Sequence, residues 1–235
     1  MGVVTMLSFH HLTLGHGSVT LLEDASLTLC RGEVVGLVAP NGFGKTTLLT
    51  TLAGMGGASA RGEVCVQGVA PHDGADLRAK VFYAPGDASL LYPSCTALDH
   101  LRMARDLWSS PHDVETLART CGVDPFLHKR VRSLSQGMKQ QLTLAIAYAT
   151  DAACLLLDEP MNALDPTNVQ RNTAILRGLA RRGKTIVMSS HILENVDEAS
   201  DRIVFMTGKG LIVSDARGMG GERARAVYER LYGGR

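Results

Sequence analysis

The sequence predicts an α/β fold in which a parallel sheet, covered by helices on both faces, positions the functional residues. Three short apolar runs, 34–38, 152–157 and 185–188, predict its buried strands. Continuous apolar runs of this length are typical of strands that are buried on both faces, as they are in parallel sheets. Alternating apolar and polar positions over 3–9 and 18–30 predict an additional antiparallel β subdomain at the N-terminus.

The rest of the chain is arranged around this core. A polar, mainly helical stretch near 96–132 predicts a helical subdomain inserted between the first and second apolar runs. We therefore interpret the 235 residues as one domain with three parts. Residues 1–87 and 151–214 are the α/β core with its β subdomain, 88–150 are the helical subdomain, and 215–235 are a C-terminal helix.

Two patterns predict how the C-terminal part ends. The apolar segments 201–206 and 211–213 flank a Thr-Gly-Lys-Gly turn, which predicts a β-hairpin. Apolar residues then recur at helical spacing, which predicts an amphipathic helix that docks on the core. These residues are Ala224, Val227, Tyr228, Leu231 and Tyr232.

Composition limits the partners and the environment of the chain. A net charge of +1 gives no field that would attract nucleic acid, so we expect no nucleic-acid partner. The five cysteines are scattered and never form a C-x-x-C pair, which argues against disulfides and zinc and favours a reducing cytosol. No apolar run approaches the ~20 residues that span a bilayer, and no signal peptide is evident. If the protein acts at a membrane, we expect another chain to span it.

A glycine-rich segment after the first buried strand predicts a phosphate-binding loop. Its backbone N–H groups and the positive end of the following helix can bind phosphate oxygens. We expect Lys45 to reach the β- and γ-phosphates of a nucleotide and the Thr46 hydroxyl to bind Mg²⁺. Ala39 replaces the first glycine of G-x-x-x-x-G-K-[ST], which is tolerable if its φ is negative. The predicted binding residues are Ala39, Pro40, Asn41, Gly42, Phe43, Gly44, Lys45, Thr46 and Thr47.

Two adjacent carboxylates follow the second buried strand. Asp158 stands at the strand tip, where we expect it to hold Mg²⁺ directly or through water. Glu159 points the other way and is expected to polarise a water in line with the γ-phosphate. Two carboxylates repel a triphosphate unless Lys45 and a cation offset their charge. The pair therefore indicates catalysis only together with the phosphate loop, and by itself would be an ordinary solvated strand end.

The segment Leu134-Ser-Gln-Gly-Met-Lys-Gln-Gln141 predicts a capped helix start. Ser135 can accept a hydrogen bond from the first turn, and Gly137 permits close approach of another backbone. The exposed N–H groups of such a start can bind an anion, although a capped core helix alone would explain the pattern. An apolar stripe predicts that one face of the helix is buried, and it comprises Met138, Leu142, Ala145, Ile146 and Ala149.

Together with Asn162-Ala-Leu-Asp165 and Ser189-Ser-His191, these motifs resemble those of the nucleotide-binding subunits of ATP-binding cassette (ABC) transporters. The motifs occur in the family's order, and the resemblance covers about residues 3–214. It implies a P-loop NTPase (RecA-like) core that binds and hydrolyses ATP with Mg²⁺. The signature variant L-S-x-G-M-K-Q is similar to that of bacterial drug, antibiotic-peptide and bacteriocin-immunity exporters, whose ATPases usually pair with a separate membrane subunit.

The resemblance also implies a head-to-tail dimer, in which each ATP lies between the phosphate loop of one protomer and the signature of the other. Ser135 and Gly137 would contact the γ-phosphate across the dimer. His191 would hold the γ-phosphate and the attacking water, which makes it catalytic together with Glu159, and Asp165 would bridge the protomers. The signature residues expected at the nucleotide are Leu134, Ser135, Gln136 and Gly137.

Some positions depart from the family pattern. Leu14 stands where the family usually has an aromatic residue that stacks on adenine, so we expect looser base recognition. Gly86 replaces a glutamine that senses Mg²⁺ and couples to the membrane subunit. Asp87 could reach the metal through a water, although a plain Gly-Asp turn is the alternative. Three N-terminal histidines lack an accompanying cysteine or carboxylate and are not predicted to bind metal: His10, His11 and His16.

The leading hypothesis is an ATPase subunit, cytoplasmic and peripheral at the inner face of the cell membrane, that powers a separate transmembrane permease. The exported substrate would be a drug, a peptide or a lipid-like molecule, and the dimer partner would be an identical or different nucleotide-binding subunit. The alternative is an ATP-gated regulatory partner with little turnover, since the metal-sensing position is altered. A soluble ABC ATPase of translation or DNA repair would usually have two cassettes or a long coiled-coil insertion, and the sequence has neither.

Overall fold

The computed structural model describes residues 4–56, 59–70, 74–215 and 223–233, which form two β-sheets and the helices around them. The strands are Thr5–His16 (β1), Val19–Cys30 (β2), Val34–Val38 (β3), Ser59–Val66 (β4), Val81–Ala84 (β5), Cys154–Leu157 (β6), Thr185–Ser189 (β7), Arg202–Thr207 (β8) and Gly210–Asp215 (β9). The larger sheet has the order β5-β6-β7-β3-β8-β9 and is parallel except for β9. Every residue of β3, β6 and β7 is buried, which confirms the three predicted strands.

The smaller sheet is antiparallel, with the order β2-β1-β4. It confirms the predicted antiparallel strands, but β1 extends to His16, well beyond the predicted 3–9, whose first residue lies outside the described chain. The sequence interpretation missed β4 altogether. The first five residues of β4 are exposed, so the strand lacks an apolar pattern along most of its length.

The described chain has eight α-helices, of which the last follows the final strand. They are Lys45–Leu52 (α1), Gly74–Arg78 (α2), Ala97–Leu107 (α3), Val114–Cys121 (α4), Gln136–Ala149 (α5), Pro166–Arg181 (α6), Leu193–Ala199 (α7) and Ala224–Tyr232 (α8). Short 3₁₀ turns occur at Asp124–Phe126 and Val131–Ser133. Helices α3, α4 and α5 lie between β5 and β6 along the chain, where the sequence predicts a mainly helical stretch.

Helix α5 begins at the predicted cap and is more deeply buried than expected. The Ser135 hydroxyl accepts a hydrogen bond from the Met138 N–H at 3.3 Å, which confirms the predicted N-cap. The predicted apolar residues Leu142, Ala145, Ile146 and Ala149 are buried, and burial extends to every other residue from Gln140 to Ala149. The reason is that α5 is in contact with α3, α4 and β5, and its residues belong to the largest apolar core of the described chain.

The C-terminal part contains the predicted hairpin and helix. Strands β8 and β9 pair antiparallel through the turn at Thr207 to Gly210. Helix α8 confirms the predicted amphipathic helix over 224–232, while 216–222 and 234–235 of the predicted tail lie outside the described residues. Ala224, Val227 and Tyr232 of α8 join a core cluster with residues of β8 and α7. The C-terminal helix is therefore docked on the strand and helix that follow the His191 segment.

Candidate active site

The phosphate loop connects β3 to α1 in a conformation that depends on glycine. Gly42 and Gly44 have φ angles of 84° and 94°, a region that other residues rarely adopt. Gly44 directly precedes α1, so the first N–H groups of the helix open onto the loop. Ala39 does not have a positive φ, which confirms that alanine is tolerated there. The Lys45 ammonium is buried and donates to the Ala39 carbonyl oxygen at 2.8 Å, so it lies along the loop.

Asp158 is held by three hydroxyl groups from different elements. Thr46 Oγ1 donates to Asp158 Oδ2 at 2.5 Å, and Tyr83 Oη approaches the same oxygen at 3.3 Å. Ser189 Oγ donates to Asp158 Oδ1 at 2.5 Å. Burial, with the Asp158 carboxylate adding to it, raises the pKa of the Tyr83 hydroxyl well above its ordinary value. Tyr83 therefore remains a proton donor toward Asp158, and the carboxylate is fixed in one orientation.

Glu159 adopts a left-handed backbone conformation, with φ of 46°. Such a conformation is uncommon for a residue with a side chain and often marks a functional position. Its N–H donates to Ser189 Oγ at 2.8 Å, and its Oε2 lies 2.9 Å from His191 Nδ1. Its Oε1 lies 3.9 Å from Lys45 Nζ. The turn after β6 thus directs Glu159 away from Asp158, between the lysine and the histidine.

These residues border a cavity of about 560 Å³, a volume typical of small-ligand sites. The lining residues are His16, Leu21, Asn41, Gly42, Gly44, Lys45, Thr46, Thr47, Tyr83, Pro85, Gly86, Asp87, Asp158, Glu159 and Asn162. Most of the predicted loop residues line it, whereas Ala39, Pro40 and Phe43 do not. His191 is not a lining residue either and reaches the cavity through Glu159. Asp87, Asp158 and Glu159 give the cavity three carboxylates against the single ammonium of Lys45.

The structure does not bring Leu14 to this cavity, so the expectation that Leu14 contacts the base is wrong. Leu14 has 0% of its surface exposed and belongs to the core cluster between the two sheets. His16, two residues further along β1, is exposed and lines the cavity together with Leu21. An imidazole ring therefore stands at the entrance of the cavity, where the sequence interpretation placed an aliphatic side chain.

The Gly86-Asp87 segment lines the same cavity as the carboxylates of Asp158 and Glu159. A Cβ atom on Gly86 would lie 2.8 Å from the Asp158 carbonyl oxygen and 3.4 Å from Glu159 Cβ. The absence of a side chain at Gly86 thus permits this close backbone approach. Asp87 Oδ1 accepts a hydrogen bond from the Ser89 N–H at 3.0 Å. Hydrogen bonding to the side chain of Ser89, together with this backbone bond, lowers the pKa of the Asp87 carboxyl. Asp87 consequently adds an ionised carboxylate to the cavity.

The signature residues lie away from the cavity of their own chain. Ser135 and Gln136 are exposed, Leu134 is buried, and none of 134–137 lines the cavity. A Cβ atom on Gly137 would lie 2.7 Å from the Ala163 carbonyl oxygen, which confirms that Gly137 permits close backbone approach.

Asp165 also lies outside the cavity, in the loop that Gly137 contacts. Asp165 caps α6 by accepting hydrogen bonds from the backbone and side chain of Asn168, and these bonds lower the pKa of its carboxyl. The signature helix and the loop that ends at Asp165 therefore pack directly against each other.

The residues of the site that were not predicted from the sequence include Tyr83, Ser189 and His16. The signal for Ser189 was its place at the end of a buried strand beside the Asp158 strand. In the described part of the chain, no group of three or more His, Cys, Asp or Glu residues could hold a metal ion by itself. Likewise, no helix of the described residues has the length and apolar character needed to cross a membrane.

Comparisons with known proteins agree with this geometry. The ABC transporter family model matches residues 22–162. The lantibiotic transport ATP-binding protein SrtF of Streptococcus pyogenes is 29% identical over 226 residues, which are 95% of this chain and 96% of that protein. The Nod factor export ATP-binding protein I of Rhizobium johnstonii is 32% identical over 225 residues, which are 93% and 72% of the two chains. Among solved structures, the fold is similar to that of the ATP-binding cassette MJ0796, a dimer in a post-hydrolysis state with ADP and phosphate bound. The TM-score is 0.79 at 22% identity, and the match covers 91% of this chain and 100% of the MJ0796 chain. The chain therefore belongs to the ABC transporter family, as an ATP-binding subunit with ATPase activity.

Proposed function

We propose that this chain works in a dimer with a second nucleotide-binding subunit and uses ATP hydrolysis to drive export through a separate transmembrane permease. The observation that carries the proposal is the convergence of Lys45, Thr46, Asp158 and Glu159 at one cavity, with His191 bonded to Glu159. These residues come from the ends of β3, β6 and β7, which are adjacent in the sheet. Ligands of open α/β sheets bind at this edge, beyond the carboxyl ends of the strands.

The phosphates of ATP would bind to the loop and to Lys45. The loop residues that line the cavity supply backbone N–H groups, and the N-terminus of α1 adds its positive dipole. The ammonium of Lys45 lies 2.8 Å from Ala39 O and 3.9 Å from Glu159 Oε1, and Lys45 lines the cavity in which the phosphates would bind. Lys45 would offset the charge of the β- and γ-phosphates.

Thr46 and Asp158 would hold Mg²⁺, and the donor set fits this ion. The two side chains meet at 2.5 Å and offer hard oxygen ligands beside the loop. Mg²⁺ sites in such enzymes usually have one or two carboxylates and take their other ligands from phosphates and water, so no larger cluster is required. Asp87 would contribute through a water. The ion, when bound, neutralises phosphate charge beside a cavity that has three carboxylates and one lysine.

Glu159 would act as the general base and His191 as the partner that orients it. The distance of 2.9 Å from Glu159 Oε2 to His191 Nδ1 supports this pairing, and His191 N–H approaches the same oxygen at 3.3 Å. The left-handed backbone of Glu159 keeps its carboxylate apart from Asp158, so the two acids can serve different tasks. One would hold the metal while the other would accept the proton of the attacking water.

The signature residues would complete the site of a second protomer. Ser135 and Gln136 are exposed at the start of α5 and do not line their own cavity, which supports a role on another chain. The structure of MJ0796, which has the same fold, is a dimer. In a head-to-tail arrangement, Ser135 and Gly137 would contact the γ-phosphate across the interface, and Asp165 would bridge the protomers. Residues 88–150 would act as the subdomain that presents the signature.

An apolar surface on the helical part would receive the permease at the inner face of the membrane. Tyr92, Met103 and Leu107 are 62%, 37% and 83% exposed, and they surround a cavity of about 230 Å³. Exposed apolar clusters of this kind mark interaction surfaces. Tyr92 and the Gly86-Asp87 segment belong to the same connection between β5 and α3. A permease contact there would be linked by one loop to the nucleotide cavity.

The exported substrate would be a drug, a peptide or a lipid-like molecule. This class of substrate is supported by two relatives, one named for lantibiotic transport and the other for Nod factor export. A second candidate is an ATP-gated regulatory partner with little turnover. It is favoured by Gly86, which leaves no side chain at the position of the metal-sensing glutamine. Steady-state phosphate release in the presence of the permease distinguishes the two, because the regulatory partner would show almost none.

The substitution Glu159→Gln tests the proposal. It removes the base but preserves size, so we expect ATP binding to persist while turnover falls by about 10²–10⁴-fold. ATP should then trap a closed dimer, measured by size-exclusion chromatography with light scattering. Asp165→Asn in the same background is the matched control for the dimer contact and should weaken the trapped dimer. A Glu159→Gln variant that hydrolyses ATP like the parent would mean that Glu159 is not the base.

A further inference from the structure

The phosphate loop carries an aromatic residue that contacts the C-terminal helix. The rings of Phe43 and Tyr232 have centroids 5.8 Å apart and an interplanar angle of 84°, which is an edge-to-face contact. Phe43 does not line the nucleotide cavity, so its ring is directed toward the protein. It packs against two apolar clusters, the one between the sheets and the one formed by α8 with β8 and α7. The side chain of Phe43 therefore anchors the phosphate loop to the apolar core.

Tyr232 is itself held in a fixed position. Its side chain is buried, with 8% of its surface exposed, and its hydroxyl donates to the Met206 carbonyl oxygen in β8 at 2.8 Å. The ring of Tyr228, one turn earlier in α8, lies 4.6 Å away, centroid to centroid. The ring edge that Phe43 meets is consequently fixed by a strand and by a neighbouring aromatic ring.

Helix α8 also contacts the segment on the other side of the site. The N–H of Ala224 donates to Asp197 Oδ1 in α7 at 2.8 Å, and Val196 of α7 shares a core cluster with Val227 of α8. Helix α7 begins at Leu193, two residues after His191. One short helix therefore contacts both the phosphate loop and the helix that follows His191, the proposed partner of Glu159.

We propose that Tyr232 is a positioning residue, which acts through Phe43 to hold the phosphate loop in its binding conformation and so sets the affinity for ATP. The loop has two glycines with positive φ and therefore many accessible conformations. A contact that favours the binding conformation raises apparent affinity, because the unbound loop spends more time ready for phosphate. The chemical step depends on groups that α8 does not touch directly, so its rate should change little.

The proposal predicts a reciprocal effect on the helix. If docking of α8 strengthens ATP binding, ATP binding must strengthen the docking of α8 by the same factor. Hydrogen exchange measured by mass spectrometry on the full chain should therefore show slower amide exchange in 224–232 when ATP is added. The same addition should have little effect on α8 in a Phe43→Ala variant, since the connecting ring is gone.

The decisive experiment compares three variants of α8 in the full chain. We expect Tyr232→Ala to raise the KM for ATP and its dissociation constant by roughly threefold to tenfold, the range of an aromatic pair, with kcat within about twofold of the parent. Tyr232→Phe should restore most of the affinity, because it keeps the ring edge. Val227→Ala is the matched control: Val227 is 2% exposed in the same helix and cluster, so it should lower thermal stability without changing KM.

The double variant Phe43→Ala/Tyr232→Ala tests whether Tyr232 acts through its contact with Phe43 or through the general stability of α8. We expect its KM to match that of the worse single variant, because both changes remove one contact. An unchanged KM in Tyr232→Ala, an equal rise in Val227→Ala, or independent effects in the double variant would overturn the proposal. A parent chain that bound no ATP would instead contradict the family activity on which the proposal rests.

Discussion

The hydroxyl of Ser189 donates to Oδ1 of Asp158 at 2.5 Å and connects the ends of β6 and β7. The same Ser189 oxygen accepts the Glu159 N–H at 2.8 Å. A single buried hydroxyl therefore orients the proposed metal ligand and fixes the backbone of the proposed base. The two acids of the site are adjacent in sequence, but their separate directions depend on a residue 31 positions away.

Replacing Ser189 by alanine should impair both stability and catalysis. The change leaves the Glu159 N–H without its acceptor, which we expect to cost about 1–3 kcal/mol of the free energy of unfolding. It should also lower kcat by about tenfold or more, because Asp158 loses one of its three hydroxyl partners and the backbone of Glu159 loses its acceptor. The matched control is Ser190→Ala, since Ser190 Oγ is bonded to Ile192 and not to either acid. Denaturant unfolding and steady-state ATPase assays measure the two effects, and full kcat in Ser189→Ala would refute the assigned role.

Substitutions at Leu14 and at His16 should have different effects, because His16 is expected to contact the base whereas Leu14 packs in the core. His16→Tyr offers a larger aromatic ring at the cavity entrance, so the KM for ATP should fall by about threefold, and His16→Ala should raise it. Leu14→Ala opens a hole in the core and should cost about 2–5 kcal/mol of stability without changing the preference for ATP over GTP. Nucleotide competition assays and thermal unfolding provide the measurements. A change of nucleotide preference in Leu14→Ala, with none in the His16 variants, would reverse this assignment.

Restoring the family glutamine at position 86 should reduce activity. The added Cβ atom would meet the Asp158 carbonyl oxygen at 2.8 Å, and this oxygen belongs to backbone that cannot easily move. We expect Gly86→Gln to cost about 1–3 kcal/mol of stability and to lower kcat by displacing Asp158 and Glu159. Gly178→Gln is the control, because a Cβ atom on Gly178 meets nothing within 4 Å. Higher ATPase activity in Gly86→Gln would contradict this expectation, because it would show that the loop after β5 can move to avoid the contact with the Asp158 carbonyl oxygen.

Alkaline pH should destabilise the fold through its buried thiols. Burial raises the pKa of Cys121 and of Cys154 from 9.0 to about 12, so above pH 9 the unfolded chain loses protons that the folded chain keeps. The stability that these groups contribute is complete below pH 9 and is lost as pH rises toward 12. Each thiol should lower the free energy of unfolding by about 1.4 kcal/mol per pH unit in this window. The double variant Cys121→Ala/Cys154→Ala should show a flatter slope above pH 9 in denaturant titrations, and an identical slope would exclude these thiols as its cause.

Prediction from the sequence succeeded where a single residue or a short run of residues determines the local structure. Strand β3 begins and ends at the predicted residues, because an uninterrupted apolar run between turns has few other solutions. The start of α5 was predicted from Ser135, because a cap needs only a hydroxyl three residues before an N–H. Both features depend on neighbours in the chain. The same holds for the phosphate loop, whose motif is contiguous.

The predictions failed where the structure depends on contacts between distant parts of the chain. The position of Leu14 could not be predicted because the pairing of β1 with β2 shifts register on both sides of it. Each shift changes which side chains face the core, so the family position assigned to Leu14 did not reveal that its side chain is buried. Strand β4 was missed because its exposed residues are ordered by pairing with β1. The contacts of Asp158 with Tyr83 and Ser189 join three strands, and no local pattern encodes them.

The nucleotide cavity draws on two separate sheets. His16 and Leu21 belong to the small antiparallel sheet, whereas Asp158 and Glu159 follow a strand of the large one. The proposed base contact and the proposed hydrolytic residues therefore belong to different sheets of the fold. On the proposed assignment, substitutions in the hairpin of the small sheet would change which base is accepted and leave Asp158 and Glu159 untouched. Natural selection would then be able to adjust nucleotide preference and catalytic rate independently within this one domain.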